Sequence, residues 1–148
     1  MLLKQLKQKL SKQIPLTNYM QLEIKNYDEK YLITNAPLKP NINDKGTAFA
    51  GSLCTMTTIS SWSLCWLLTQ EMGFKNTSIV ILKNDIHYLK PITSDFVCHT
   101  NKPSSDEVKI LKEKLNTKKS GSIKITSNIY ENSESCVTFE GIYVIKIL

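Results

Sequence analysis

The sequence predicts an α+β fold in which antiparallel strands curl around one long buried helix. Three observations predict it. Leu53 to Met72 is a stretch of helix length that is apolar nearly all round, so it has to be covered on most sides. Four later segments have strand composition and can provide that cover: Ser78 to Tyr88, Thr93 to Thr100, Ser122 to Tyr130 and Cys136 to Ile147. The chain has 148 residues, 41% hydrophobic and 22% charged, which is the size and mix of a single domain, 1–148, with one core.

In chain order, Leu2, Leu3, Leu6 and Leu10 recur at helical spacing among Lys4, Lys7, Lys9 and Lys12, which predicts an N-terminal lid helix stopped by Pro15. Ile14 to Ile24 and Tyr31 to Thr34 read as extended segments around the polar turn Asn26 to Lys30. Ala36 to Gly46 carries two prolines, two asparagines and a glycine, and is a long shaped loop. It leads into the central helix, which Gly73 closes. Thr55, Thr57, Thr58, Ser60, Ser61 and Ser63 give that helix poor propensity, so tertiary wrapping has to compensate. Ser104-Ser105-Asp106-Glu107 opens a capped amphipathic helix near 104–116, with Val108, Leu111 and Leu115 on one face.

Composition narrows the function. The net charge is +6, and all 19 basic residues are lysine. Without the bidentate fork of arginine, sequence-specific nucleic-acid reading is disfavoured, and no nucleic-acid partner is expected. An Asn- and Lys-rich, arginine-free chain also fits an AT-rich genome. Cys54, Cys65, Cys98 and Cys136 form no CxxC pair and no zinc spacing, which predicts free thiols in a reducing compartment and no metal site. No apolar run approaches a membrane span of about 20 residues. The expectation is a cytoplasmic protein with no membrane span.

Two motifs resemble the hotdog-fold superfamily of thioesterases and dehydratases. Asn43-Asp44-Lys45-Gly46-Thr47-Ala48-Phe49-Ala50-Gly51 is similar to its asparagine, glycine, aromatic-Gly-Gly pattern, with Ala50 in place of one glycine. Ile86-His87-Tyr88-Leu89-Lys90-Pro91-Ile92-Thr93-Ser94-Asp95 is similar to its strand, Tyr-Leu-x-Pro turn and strand entry, with Ser94 in a glycine position. Together with Ile14-Pro15-Leu16, Ala36 to Asn41, Ser52-Leu53 and Trp62, almost the whole chain resembles one subgroup. That subgroup occurs alone or C-terminal to an acetyltransferase in proteobacteria. The resemblance implies a homodimer or dimer of dimers with active sites between protomers.

The residues suggest a site at the start of the central helix. Backbone N–H groups at Gly51 and Ser52 would offer an oxyanion hole to a thioester carbonyl, and Gly51 would allow close approach. Asn43, in the loop above, could donate to the same oxygen, while an Asx turn suits Asn41 better. Phe49, Tyr88 and Lys90 flank the site as substrate contacts. Cys54, Thr58, Ser61 and Cys65 form a mildly polar stripe, either a pocket wall or hydroxyls bonded back to their own helix. Many hotdog hydrolases carry a carboxylate two turns past the second glycine, where this chain has Thr58. Threonine is no resting base, which leaves Asp85 as the nearest alternative acid. His87 and His99 read as strand residues.

An oxyanion hole without a strong base suits decarboxylation of a malonyl thioester better than hydrolysis. The subgroup includes proteins that convert malonyl-acyl carrier protein to acetyl-acyl carrier protein, which primes fatty acid synthesis. The leading expectation is that activity. The alternatives are an acyl-CoA or acyl-acyl carrier protein thioesterase, and a non-catalytic acyl-thioester-binding module. A lysine-recruited RNA or membrane binder is a weaker rival. No separate cofactor is expected, since the substrate carries phosphopantetheine or CoA. Lys39, Lys45 and Lys90 flank the site loops and would meet an acidic carrier.

Overall fold

The computed structural model describes residues 1–148. Four helices, α1 (Leu2–Gln13), α2 (Leu16–Met20), α3 (Ala50–Glu71) and α4 (Ser105–Lys118), accompany six strands. The strands are β1 (Glu23–Tyr27), β2 (Tyr31–Ala36), β3 (Thr77–Tyr88), β4 (Phe96–Asn101), β5 (Ser120–Glu131) and β6 (Glu134–Ile147). They form one sheet in the order β1-β2-β4-β5-β6-β3, every neighbouring pair antiparallel. This is the hotdog arrangement the resemblance implied, with α3 buried against the sheet.

The core has two parts, both anchored on α3. Leu64, Cys65, Leu67 and Leu68 of α3 pack with Leu6 and Leu10 of α1, Leu111 and Leu115 of α4, and Ile125, Tyr143 and Ile145 of the sheet. Leu53 and Met56, one to two turns into α3, pack with Phe96, Cys98, Ile129 and Val137. Some of the hydroxyls that weaken helix propensity are absorbed within the structure. Thr55, Thr57 and Thr69 donate to carbonyls three or four residues earlier, and the Ser60 hydroxyl shares a 2.8 Å bond with that of Thr34 on β2. The equally buried Ser61 and Ser63 hydroxyls find no partner within the chain, so burial of this Ser- and Thr-rich helix leaves two of them unpaired.

The segment Ile14 to Ile24 departs from its expected extended form. Pro15, at φ −62°, starts the short helix α2, and the Thr17 hydroxyl bonds back to the Ile14 carbonyl. Gln21 ends it in the left-handed region at φ 55°, so only Glu23–Tyr27 is strand. Asn26 and Tyr27 accordingly belong to β1, and Asp28 makes the turn by accepting from the Lys30 and Tyr31 amides. The strand expected from Thr93 begins at Phe96, because residues 93–95 are tied elsewhere. α4 follows its local code: the Ser104 hydroxyl accepts from the Glu107 amide, and the Glu107 carboxylate accepts from the Ser104 amide. Gly73, at φ 89°, closes α3 as expected.

Strand β3, 12 residues long, is one of the two edges of the sheet, β1 being the other. A bulge between Ile81 and Lys83 changes its facing. Before the bulge, Ile79 and Ile81 pair with the core residues Ile145 and Tyr143. After it, Ile86 and Tyr88 pair with the buried Phe139 and Val137. The inward positions thus switch from odd to even numbers, which matters at the site below.

Candidate active site

The central helix begins one residue earlier than the motif suggested, with Phe49 as its N-cap and Ala50 as its first residue. Phenylalanine has no side-chain acceptor, and no side chain caps this end. The Ser52 and Leu53 amides both donate to the Phe49 carbonyl, at 2.9 and 3.1 Å. The Ala50 and Gly51 amides have no acceptor within the chain. Two adjacent donors at the positive end of a 22-residue helix are open to an incoming anion or polarised carbonyl.

Gly51 has a reason the sequence did not reveal. A Cβ at this position would lie under 3 Å from Cδ2 of the Phe49 ring, so the ring occupies the space the missing side chain leaves. Here the Phe49 ring makes the close approach that Gly51 permits. The ring is still 55% exposed and can move.

Two neighbouring segments hold the helix start. The Ala48 amide donates to the Ile92 carbonyl at 2.9 Å, and the Phe49 amide to the Asn41 carbonyl at 2.7 Å. Asn41 is buried, and its side-chain amide donates to the Met20 and Pro37 carbonyls. Sequence reasoning gave Asn41 the Asx turn, whereas Asn43 makes it. The Asn43 side-chain oxygen Oδ1 accepts from the Lys45 and Thr47 amides, and the side-chain NH₂ donates to the Thr47 hydroxyl at 2.8 Å. The Asn43 side chain is thus engaged within its own loop. A second donor hydrogen on the same nitrogen is the one it can still offer to a substrate.

Tyr88 does join the site. Its hydroxyl lies 3.5 Å from the Ala50 carbonyl, and burial first, then the neighbouring Cys54 thiol, raise its pKa. The bulge in β3 is what turns Tyr88 toward the helix. It also turns Asp85 away: Asp85 pairs in register with Glu140 on the outer face and lies 3.2 Å from His87. Within the chain the sheet therefore separates Asp85 from the helix start, and the structure does not bring it to the place where an alternative base was expected.

The polar stripe divides. Cys54 and Thr58 are partly exposed, and Thr58 is the one helix threonine near the site whose hydroxyl makes no bond back to a carbonyl; its own carbonyl accepts from the Tyr143 phenol at 2.8 Å. Ser61 and Cys65 are wholly buried, so they belong to the core and not to an open pocket wall. Lys90, in the loop after β3, is ion-paired with Glu134 at the start of β6, which raises its pKa. Lys45 pairs with Asp44, and Lys39 stands in a one-turn helix, Lys39–Asn41. Between these loops lies an open cleft of about 630 Å³ lined by Leu38, Lys39, Ile42, Thr93, Ser94 and Asp95.

Exposed apolar side chains surround the helix start: Ile42, Phe49, Tyr88 and Leu89. No helix is long and apolar enough to cross a membrane. Sequence reasoning missed Asn41 as an anchor and Glu131 as the acceptor for the Thr93–Ser94 turn. No local signal marks either role, because the Met20 carbonyl and the Thr93–Ser94 turn lie 21 and 37 or more residues from Asn41 and Glu131.

Comparison with known proteins agrees with the architecture. Residues 3–147 match a family model described as "Putative thioesterase (yiiD_Cterm)". The chain superposes on the crystal structure of a "putative thioesterase from Shewanella oneidensis" with a TM-score of 0.89 at 29% identity, covering 99% of this chain and 98% of that one. A protein "with unknown function" from Chlorobaculum tepidum TLS gives 0.93 at 31% identity, over 98% and 94%. A "probable thioesterase" from Pseudomonas aeruginosa shares the fold at a TM-score of 0.72 and 11% identity, over 97% and 94%.

Proposed function

The chain belongs to that thioesterase-like hotdog family, and from this premise we propose that it decarboxylates the malonyl thioester of an acyl carrier protein. The observation that carries the reading is the pair of open amides on Ala50 and Gly51, with no carboxylate on the same face of the helix. In the proposed reaction the bond between the α-carbon and the carboxylate breaks. Its electron pair moves into the thioester as an enolate whose oxygen is held by the two amides, and carbon dioxide leaves. The α-carbon then takes a proton from solvent to give the acetyl thioester. Stabilising that enolate needs preorganised donors rather than an activated water. Thr58 and Tyr88 would border the acyl group, and Phe49 would move aside as it enters.

Malonyl-acyl carrier protein incubated with the protein should yield acetyl-acyl carrier protein and carbon dioxide, followed by mass spectrometry of the carrier. Free carrier thiol with malonate would instead establish the thioesterase alternative. Tight acyl-thioester binding without turnover would establish the non-catalytic one. The lysine excess supports a carrier substrate through long-range attraction to an acidic protein, which predicts a KM that rises with salt for the carrier substrate more than for its CoA analogue.

A homodimer is part of the proposal. The β3 edge is long and bears exposed Val80 and Leu82, a combination that isolated proteins avoid. A second copy paired there would also cover the apolar residues around the helix start. Leu82→Asp should shift the protein to monomer in light scattering at micromolar concentration, and a persistent dimer would place the interface elsewhere.

A further inference from the structure

We propose that Glu131 is a positioning residue for the helix-start amides: it fixes the 92–94 turn, which in turn fixes the Ala48–Gly51 segment. This rests on the site reading above. Glu131 ends β5, and one of its carboxylate oxygens accepts four bonds from a turn 37 and 38 residues away. These come from the Thr93 amide at 2.7 Å, the Ser94 amide at 2.7 Å, the Ser94 hydroxyl at 2.7 Å and the Thr93 hydroxyl at 3.4 Å. Both amides and both hydroxyls of Thr93 and Ser94 reach that single oxygen, the Ser94 hydroxyl also lying 3.4 Å from the Asp95 carbonyl.

The next residue back, Ile92, has its side chain buried and its carbonyl bonded to the Ala48 amide. Ala48 immediately precedes the N-cap Phe49 and the two open amides. The path from carboxylate to oxyanion hole is therefore one turn and one backbone bond long. It ties the β5–β6 hairpin to the start of α3. Charge-assisted bonds are about twice as strong as neutral ones, so a formal charge at the anchor matters. The Ser94 hydroxyl and the two amides hold the Glu131 carboxyl below the usual carboxylate range, in keeping with a permanently charged anchor. The adjacent Lys90–Glu134 pair is half-exposed and secures only the beginning of this loop.

Glu131→Ala and Glu131→Gln would be compared with Glu140→Gln, which removes only an outer-face ion pair with Lys124. Hydrogen exchange at the Ala48 amide should be at least tenfold faster in Glu131→Ala, intermediate in Glu131→Gln and unchanged in Glu140→Gln. On malonyl-acyl carrier protein, kcat should fall at least tenfold in Glu131→Ala with KM within twofold, because the donors act on the enolate and not on the ground state. Glu131→Gln should recover part of that loss. Wild-type exchange at Ala48 overturns the proposal, as does faster exchange with kcat unchanged. If the wild-type protein turns over no malonyl thioester, the functional reading fails while the exchange measurement still decides the positioning.

Discussion

Gly51→Ala should lower turnover of the malonyl thioester by about 10²–10³-fold, the scale seen when one oxyanion-hole donor is lost. The added Cβ meets the Phe49 ring at under 3 Å, and the ring, being exposed, can swing out at little cost to stability. The displaced ring and the new methyl then both crowd the approach to the Ala50 and Gly51 amides. The expected signature is a steep loss in kcat with a melting temperature within a few degrees of wild type. Full activity in Gly51→Ala would move the reacting carbonyl away from this helix start. Phe49→Ala makes the complementary test: it vacates the ring and should restore part of the activity when combined with Gly51→Ala.

Leu64→Ala should cost about 2–5 kcal/mol of stability, since a buried leucine loses both its transfer energy and the packing around the cavity it leaves. Leu64 is fully buried on α3 among Leu6, Leu67, Ile125 and Tyr143. Single domains are stable by only about 5–15 kcal/mol, so this one change removes a large share. For a chain of this size the melting temperature should fall by roughly 4–20 °C, read by calorimetry at fixed protein concentration. A drop below 2 °C would mean that the helix is not the centre of the core. The physical reason to expect a large effect is that α3 has little propensity of its own and depends on its wrapping.

Much of the fold was legible because it is written locally. The all-round apolar surface of residues 53–72 required burial whatever the topology, and the alternation in residues 120–130 and 136–147 could serve only a sheet with one covered face. Ser104 and Glu107 cap a helix through bonds three residues apart. The Leu16–Met20 helix was not legible, since five residues carry too little periodicity to outweigh the β-branched and aromatic residues around them. The site was legible as a place and only partly as a set of residues. Gly51 and Tyr88 stand at the helix start, Ser61 lies in the core, and Asp85 faces the opposite side of the sheet.

By itself the sequence determined which segment is the centre, which segments wrap it and which loop enters its N-terminus, because hydropathy period and capping act over a few residues. Tertiary structure alone decided which side chains meet there. One extra residue at Leu82 reverses the facing of every residue after it, bringing Tyr88 to the helix and sending Asp85 outward. Likewise the Glu131 carboxylate reaches a turn nearly forty residues earlier in the chain, and nothing in either stretch announces the other. Register and long-range hydrogen bonds are set by how the strands align around α3, a property of the assembled sheet and of no single segment.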